Sequence, residues 1–539
     1  MKKIIYTIIT ATILVFTSCN KDLDQYPSTQ ISSAAIYANP DNYIKVLAKC
    51  YASFVIIGQA KSDNKDFDDG GKNWEYMRAY FNLQEVGTEE IAYTWLDGDH
   101  MTNLTYLSWD ANDPQVSEMY YRCYYTISLC NEFLKNSTDN AISGFTAQKQ
   151  SDIKTYRAEA RFLRSLAYYH AMDLFGGIPF ADENTIGTTT LPKKWEASKI
   201  YGFIESELKD CSKNMLDAAS CPYGHAPRAA AWMLLSRLYL NAEIYTVKDA
   251  EVYAAQAHHF DSCMVYSQKV IGEGYALESD YAKMFNADNN KRVGIGHEII
   301  FPLINNSQSV VSFAIPTYLV CGEVDANVPA LADSVGIASA WSMFRIRGEI
   351  PALFDMKNDV RAMFYTTGQT QNLDKGITDR NSGYIVLKWS NRTDAGVTAS
   401  NTASDGADID FPVFRLADAY LMYAEAAARA KVADLSTALG YVNALRSIRK
   451  AALVTESDIK QTVSGIDFKF FLDERGRELY WECVRRTDLI RFGCFTTDTY
   501  KWQWKGGVKD GMAVDNKYNI YPIPATEVSA NPNLSNADY

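Results

Sequence analysis

Residues 158–180 read AEARFLRSLAYYHAMDLFGGIPF and show the periodicity of an α-helix that is apolar on two faces. Side chains three and four positions apart form one face: Ala160, Leu163, Ala167, His170, Ala171 and Leu174. The second face carries Phe162, Leu166 and Tyr169. Such a helix packs between neighbouring helices. Gly176 and Gly177 followed by Pro179 predict its end, because glycine suits a left-handed cap and proline cannot continue the hydrogen-bond ladder.

Similar helices recur along the chain. They are PRAAAWMLLSRLYLNAEIY (227–245), LADAYLMYAEAAARA (416–430), ALGYVNALRSIRKAA (438–452) and FLDERGRELYWECVRRTDLIRFG (471–493). Pro227 suits a first helical turn, and frequent alanines let neighbouring helices approach closely. Repeated helix pairs predict a mainly α fold with a tetratricopeptide-like scaffold, mainly in residues 120–271 and 412–495. A strict period of about 34 residues is absent from the sequence.

Two long stretches lack the helical period. Residues 58–116 are rich in aspartate, asparagine, glycine and aromatic residues, and residues 272–411 mix short β-prone pieces with turn-forming residues. Long irregular insertions are where function usually concentrates. We therefore expect functional side chains in these two insertions, and an extended C-terminal segment over residues 496–539.

The N-terminus has the organisation of a secretory signal peptide. Lys2 and Lys3 precede an apolar stretch over residues 4–16, which is too short to span a bilayer, where about 20 residues are needed. Residues 16–19, Phe-Thr-Ser-Cys, resemble a bacterial lipobox. This pattern predicts that residues 1–18 are removed and that Cys19 carries acyl chains anchoring a body of residues 19–539.

Composition indicates a large globular body. Hydrophobic residues make up 47% of the chain and charged residues 22%. The net charge of −12 argues against nucleic acid and against a surface that lies flat on anionic lipid. The nine cysteines after Cys19 are scattered without a CxxC motif, so neither a disulfide framework nor a zinc site is expected.

Several segments together resemble the SusD/RagB family of outer-membrane lipoproteins from Bacteroidetes. In family order they are YRAEARFLRSLAYYHAMDLFGGIPF, LADAYLMYAEAAARA, ALGYVNALRSIRKAA, FLDERGRELYWECVRRTDLIRFG and YPIPATEVSANPNL. The resemblance implies a helical scaffold whose insertions form a ligand-binding half. It also implies capture of oligosaccharides or, in some members, peptides, and a SusC-like TonB-dependent transporter as partner. Asp22 and Asp24 resemble the signal that sends such lipoproteins to the cell surface.

Aromatic side chains in the insertions are the candidates for ligand binding. Sugar rings pack their C–H faces on flat aromatic rings, and their hydroxyls need a few polar partners. Trp232 and Trp481 lie in helical patterns and are predicted to be core. The candidate ligand-binding residues are Trp74, Arg78, Trp95, Asp97, Tyr318 and Trp341. For each of them, burial as an anchor of its own loop is the competing interpretation.

Catalysis and metal binding find little support in the sequence. GxSxG and Walker A motifs are absent, and His297-Glu298 does not continue to the second histidine of HExxH. The aspartates of residues 63–70 lack the order of a calcium loop, so no metal and no cofactor is expected. Glutamates and arginines alternating over residues 474–491 predict ion pairs between packed helices.

The predicted function is therefore non-catalytic glycan capture at the cell surface. Two alternatives remain open. One is peptide capture of the RagB type, and the other is an anchored glycoside hydrolase with a carboxylate pair about 5 to 10 Å apart.

Overall fold

The computed structural model describes residues 32–58, 65–67, 74–96, 98–256, 258–307 and 314–536. The predicted signal peptide, Cys19 and Asp97 lie outside these residues, as do Asp63, Asp68, Asp69 and Gly70 of the possible calcium loop. Of that loop's aspartates, Asp66 is described, and it pairs with Lys49 at 2.7 Å.

Helices dominate the part of the chain that is described. In chain order they are α1 Ser33–Tyr37, α2 Tyr43–Ala52, α3 Tyr76–Phe81, α4 Thr102–Tyr106, α5 Pro114–Asn136, α6 Ala147–Phe175, α7 Ala197–Cys211, α8 Arg228–Leu240, α9 Ala242–Thr246, α10 Ala250–Ala255, α11 His259–Ile271, α12 Ile315–Glu323, α13 Pro329–Val335, α14 Leu416–Arg429, α15 Ser436–Ile448, α16 Glu456–Lys460, α17 Lys469–Leu479, α18 Arg485–Arg491 and α19 Ala525–Ala530. A π-helix, Asn82–Val86, continues directly from α3. The predicted mainly α fold is confirmed.

Strands are short and occur as four antiparallel pairs among the described residues. They are β1 Ala92–Tyr93, β2 Ile178–Pro179, β3 Lys194–Trp195, β4 Ile299–Leu303, β5 Phe344–Arg345, β6 Phe364–Tyr365, β7 Ile385–Val386 and β8 Phe411–Arg415. β1 pairs with β5, β2 with β3, β4 with β8, and β6 with β7. None of these pairs extends into a larger sheet, so the strands fasten loops to the helical body.

The scaffold is built from helices that pack in succession. α6 packs between α5 and α7, and α11 packs against both α8 and α14. Thr146 caps the start of α6, and Gly176 ends it with φ 68°, in agreement with the predicted stop. Both apolar faces of α6 are buried, which explains why the sequence shows apolar residues on two sides of this helix.

Arginine and glutamate side chains form a buried charge network beneath β8 and α17. Arg415 contacts Glu298 at 2.6 Å, Glu478 at 2.9 Å and Glu482 at 2.7 Å, and all four side chains are at most 4% exposed. Arg449 adds contacts to Glu298 and Glu478. The predicted pairing of the charged run over residues 474–491 is confirmed.

Tryptophans divide between core and surface. Trp481 is fully buried, as predicted, and Trp109, Trp389 and Trp502 are buried as well. The prediction for Trp232 is wrong, because it is only half-buried and the cations of Arg228 and Lys269 lie over its ring, at 5.2 and 5.6 Å from the centroid. Within the described residues, no helix combines the length and the apolar character that crossing a bilayer needs. Cys50 through Cys494, nine cysteines in all, are free.

Candidate functional site

A two-stranded ribbon brings the two insertions together. β1 belongs to the first insertion and β5 to the second, and Ala92 pairs with Arg345 and Tyr93 with Phe344. The backbone N–H of Thr94 donates to the carbonyl of Met343 at 2.8 Å, which extends the pairing by one residue. Because the strands are antiparallel, Trp95 and Trp341 lie at the same end of this ribbon.

Trp95 offers the most accessible large ring at this end. Its side chain is 40% exposed, whereas large aromatic side chains are usually mostly buried. Trp341 is half-buried, and its backbone N–H donates to the carbonyl of Cys321 in α12 at 2.7 Å. An exposed indole such as that of Trp95 offers a flat apolar surface of the kind on which sugar rings stack.

A buried pair of side chains supports the loop that follows Trp95. The guanidinium carbon of Arg78 is 4.0 Å from the centroid of the Tyr318 ring. Arg78 also pairs with Asp99 at 3.3 Å, and the hydroxyl of Tyr93 donates to the same carboxylate at 2.6 Å. Asp99 retains 23% exposure, so a polar acceptor with a fixed orientation reaches the surface in the loop that follows Trp95. These contacts define the candidate glycan face: Trp95, Trp341, Arg78, Asp99, Tyr93 and Tyr318.

The candidates predicted from sequence differ in their accessibility. Trp74 at 3%, Arg78 at 5% and Tyr318 at 0% exposure are buried. Arg78 and Tyr318 contact each other and form the buried wall of the face. Asp97 lies outside the described residues. Sequence reasoning did not select Asp99 or Tyr93, although Asp99 belongs to the same Trp-Leu-Asp-Gly-Asp stretch and was a visible alternative to Asp97.

Buried amides connect the wall to the loop that follows Trp95. The hydroxyl of Tyr318 donates to Asn82 Oδ1 at 2.8 Å, and Asn82 Nδ2 donates to Gln115 Oε1 at 3.1 Å. Gln115 Nε2 then donates to the backbone carbonyl of Asp99 at 2.8 Å. Asn82 opens the π-helix, a form that often occurs at functional sites. The chain of bonds fixes the loop relative to α12.

Two residues near the face have left-handed backbone conformations without being glycine. Ser342 has φ 55° and His100 has φ 58°. The Ser342 hydroxyl accepts the backbone N–H of Ala326 at 2.8 Å, which holds that residue in place. Strained backbone of this kind concentrates where a protein positions groups for binding.

Glu323, at the end of α12, is buried without a well-formed hydrogen bond. Neither of its carboxylate oxygens has a well-formed hydrogen bond among the described residues, and the backbone of Trp389 offsets only part of the effect of burial on its pKa. Burial raises the pKa of Glu323 well above its usual range. Ionisation of this group therefore costs stability increasingly as the pH rises above the unfolded-state value.

We expect Glu323→Gln to stabilise the protein by about 1–3 kcal/mol at pH 8, because the amide removes the buried ionisable group at similar volume. Urea unfolding at pH 8 and pH 4.5 measures this effect. The gain should shrink at pH 4.5, where the carboxyl is protonated in the folded state and about half protonated in the unfolded chain. The exposed Glu456→Gln is the control, and an equal change in both variants would contradict the assignment.

Among the described residues, no group of three or more histidine, cysteine, aspartate or glutamate side chains could hold a metal ion. The polar groups of the face are instead engaged with one another, as Arg78, Tyr93 and Asp99 show. The arrangement can orient hydroxyl groups through one carboxylate and stack rings on one indole.

Comparisons with known proteins agree with the fold. A family model described as the SusD family matches residues 352–539, and a model described as starch-binding, associating with the outer membrane, matches residues 70–240. The starch-binding protein SusD of Bacteroides thetaiotaomicron is 31% identical, and the alignment covers 96% of this chain and 95% of that protein. A SusD-like protein of Formosa agariphila is 23% identical over 99% of this chain and 98% of its own.

Solved structures share the architecture. A SusD superfamily protein from Parabacteroides distasonis superposes with a TM-score of 0.69 at 19% identity, covering 95% of this chain and 100% of the other. Surface glycan-binding protein A from Bacteroides thetaiotaomicron, in complex with laminarihexaose, superposes with a TM-score of 0.67 at 16% identity, covering 93% and 99%. At these identities the likeness concerns the fold.

Proposed function

Because this chain belongs to the SusD family, we propose that it captures a glycan at the cell surface and delivers it to a SusC-like TonB-dependent transporter, without cleaving it. In this proposal Cys19 carries the lipid anchor in the outer membrane. The observation that carries the proposal is the exposed Trp95 at the end of the ribbon that joins the two insertions.

The chemistry of the face favours a sugar over a peptide. Stacking needs an accessible flat ring, which Trp95 supplies, and hydroxyl recognition needs an oriented acceptor, which Asp99 supplies. Reading of a peptide backbone would call for several accessible amide or guanidinium groups. Here the amides of Asn82 and Gln115 are fully buried and bonded to each other.

The same carboxylate argues against hydrolysis. A glycosidase needs two carboxyl groups facing the scissile bond. Asp99 is engaged by Arg78 and by the Tyr93 hydroxyl, which favours a fixed hydrogen-bond acceptor over a proton donor. We therefore assign the face to binding.

Native affinity gels test the proposal. A soluble form starting at Asn20 is run through gels that contain amylopectin, laminarin or another neutral polysaccharide, and the same mixtures are analysed for shortened products. We expect retardation by at least one neutral glycan and no product. Release of oligosaccharides would refute the non-catalytic assignment, and absence of retardation in every gel would favour peptide capture.

A further inference from the structure

One buried carboxylate caps two helices of the candidate glycan face. Glu75 Oε2 accepts the backbone N–H of Arg78 at 2.8 Å, within α3, and Glu75 Oε1 accepts the backbone N–H of Ile315 at 2.6 Å, at the first residue of α12. Glu75 itself is 0% exposed. α3 carries Arg78, and α12 carries Tyr318 one turn after its start.

The two caps join segments that are far apart in the sequence. Arg78 and Tyr318 stack on each other only if α3 and α12 keep their mutual position. A negative charge at a helix N-terminus is favourable, because the first backbone N–H groups have no partner within the helix. Glu75 supplies that charge to both helices at once, with a separate oxygen for each.

We propose that Glu75 is a positioning residue: as a carboxylate it holds α3 and α12 at the spacing that the glycan face needs, and its protonation loosens the face. The glycan part of this inference rests on the function proposed above. The clasp between the two helices does not depend on the ligand.

Protonation weakens one of the two caps for a chemical reason. An ionised carboxylate accepts hydrogen bonds strongly at both oxygens, whereas the oxygen that carries the proton in a neutral carboxyl group is a donor and only a weak acceptor. The backbone N–H groups of Arg78 and Ile315 each bond one oxygen of Glu75, so the proton weakens one of these two bonds.

The surroundings place this event near neutral pH. Burial raises the pKa of Glu75 to about 7, against the opposing influence of the two backbone N–H bonds and of the Arg78 and Arg122 cations. Arg122 is itself paired with Glu118 at 2.9 Å, which reduces its effect on Glu75. Cys483, whose pKa burial also raises, is a further titratable group near Glu75.

Binding and stability should respond to pH in opposite directions. Since the folded-state pKa of Glu75 is raised, its ionisation costs folding stability as the pH rises from about 4.5 through about 7. The ionised form nevertheless makes both caps. A residue with a purely structural role would instead lose binding and stability together.

The experiment compares wild type, Glu75→Gln and Glu196→Gln in amylopectin and laminarin gels between pH 5.5 and 8.5. Glu196 occupies the N-cap position of α7 but makes no side-chain capping bond, so it is the matched control. We expect wild type and Glu196→Gln to bind about tenfold more weakly at pH 5.5 than at pH 8. Glu75→Gln should bind weakly at every pH, because its amide can accept only one of the two N–H groups.

A second measurement needs no ligand. Hydrogen exchange of the Ile315 and Arg78 amides, corrected for intrinsic rates, should be about tenfold faster in Glu75→Gln than in wild type at pH 8, with α6 unchanged. Thermal unfolding should show wild type losing stability relative to Glu75→Gln as the pH rises from 4.5 to 8. If the variant fails to fold, the wild-type pH series of binding and exchange carries the test.

The outcomes separate the two proposals. If wild type binds a polysaccharide equally at pH 5.5 and 8, or if Glu75→Gln keeps the wild-type pH profile, the positioning role is wrong. If no polysaccharide is retained at any pH, the proposed glycan function is wrong. Hydrogen exchange of the Ile315 amide then tests on its own whether Glu75 holds α3 and α12 together. Equal exchange in wild type and variant would overturn it.

Discussion

Replacing Arg415 with methionine should lower the free energy of unfolding by about 3–5 kcal/mol, because it removes the one cation that contacts three buried carboxylates at once. Arg415 bonds Glu298, Glu478 and Glu482, and both Arg415 and Glu478 are fully buried. A loss of this size is a large part of the total stability of a typical domain, about 5–15 kcal/mol. Urea unfolding followed by circular dichroism measures it.

The effect of Arg415→Met should depend on pH with a defined sign. Burial alone would raise the pKa of Glu478, but the arginines around it, Arg449, Arg415 and Arg361, outweigh burial and hold it at about 2. The stability that this carboxylate contributes is present above about pH 4.5 and is lost as the pH falls toward 2. The difference between wild type and variant should therefore shrink over that interval.

An exposed ion pair provides the control for Arg415. Lys460 pairs with Glu456 one helical turn away, and both side chains are nearly half exposed. Lys460→Met should change stability by less than about 0.5 kcal/mol, since solvent screens such pairs. If the two variants unfold at the same urea concentration, the buried network does not stabilise the fold as inferred.

Trp95→Ala should weaken binding of the retained polysaccharide by roughly thirtyfold, equivalent to about 2 kcal/mol, while leaving the unfolding temperature within a degree or two. The indole is 40% exposed, so its removal takes away a stacking surface without opening a core cavity. Affinity electrophoresis at several glycan concentrations gives the dissociation constants.

A variant of a second exposed aromatic ring distinguishes a specific binding site from non-specific adsorption of the glycan. Tyr253 in α10 is 43% exposed and belongs to neither of the two insertions that the β1–β5 ribbon joins. Tyr253→Ala should retain wild-type affinity. Equal losses in both variants, or none in Trp95→Ala, would remove the ribbon end as the binding site.

The helical scaffold could be predicted from sequence because its periodicity reports burial directly. The sequence of α6 predicts two apolar faces and an end at Gly176, and the structure contains both. Trp232 shows the limit of this reasoning, since its helical pattern predicts a core position yet the side chain is half-buried with cations over its ring. Helical periodicity shows which side chains share a face of the helix, but it does not show whether another helix or loop packs over that face.

The candidate face could be predicted only as a set of side chains in two insertions. The strands that join them are two residues long, too short for an alternating pattern, so neither the pairing of β1 with β5 nor its register is visible in sequence. Glu75, Asn82 and Gln115 are polar residues with 0% exposure. Because polar residues usually lie at the surface, nothing in the sequence marks these three as the interior of a site.

The pairing of Ala92 with Arg345 joins residues that are far apart in the sequence. Closing so long a loop costs conformational entropy before any contact in the ribbon forms, so long-range pairs of this kind arise late. α5 and α6 can form from local contacts, whereas the proposed binding face is complete only after β5 has paired with β1. Under the function proposed above, ligand binding therefore requires that this late contact has formed.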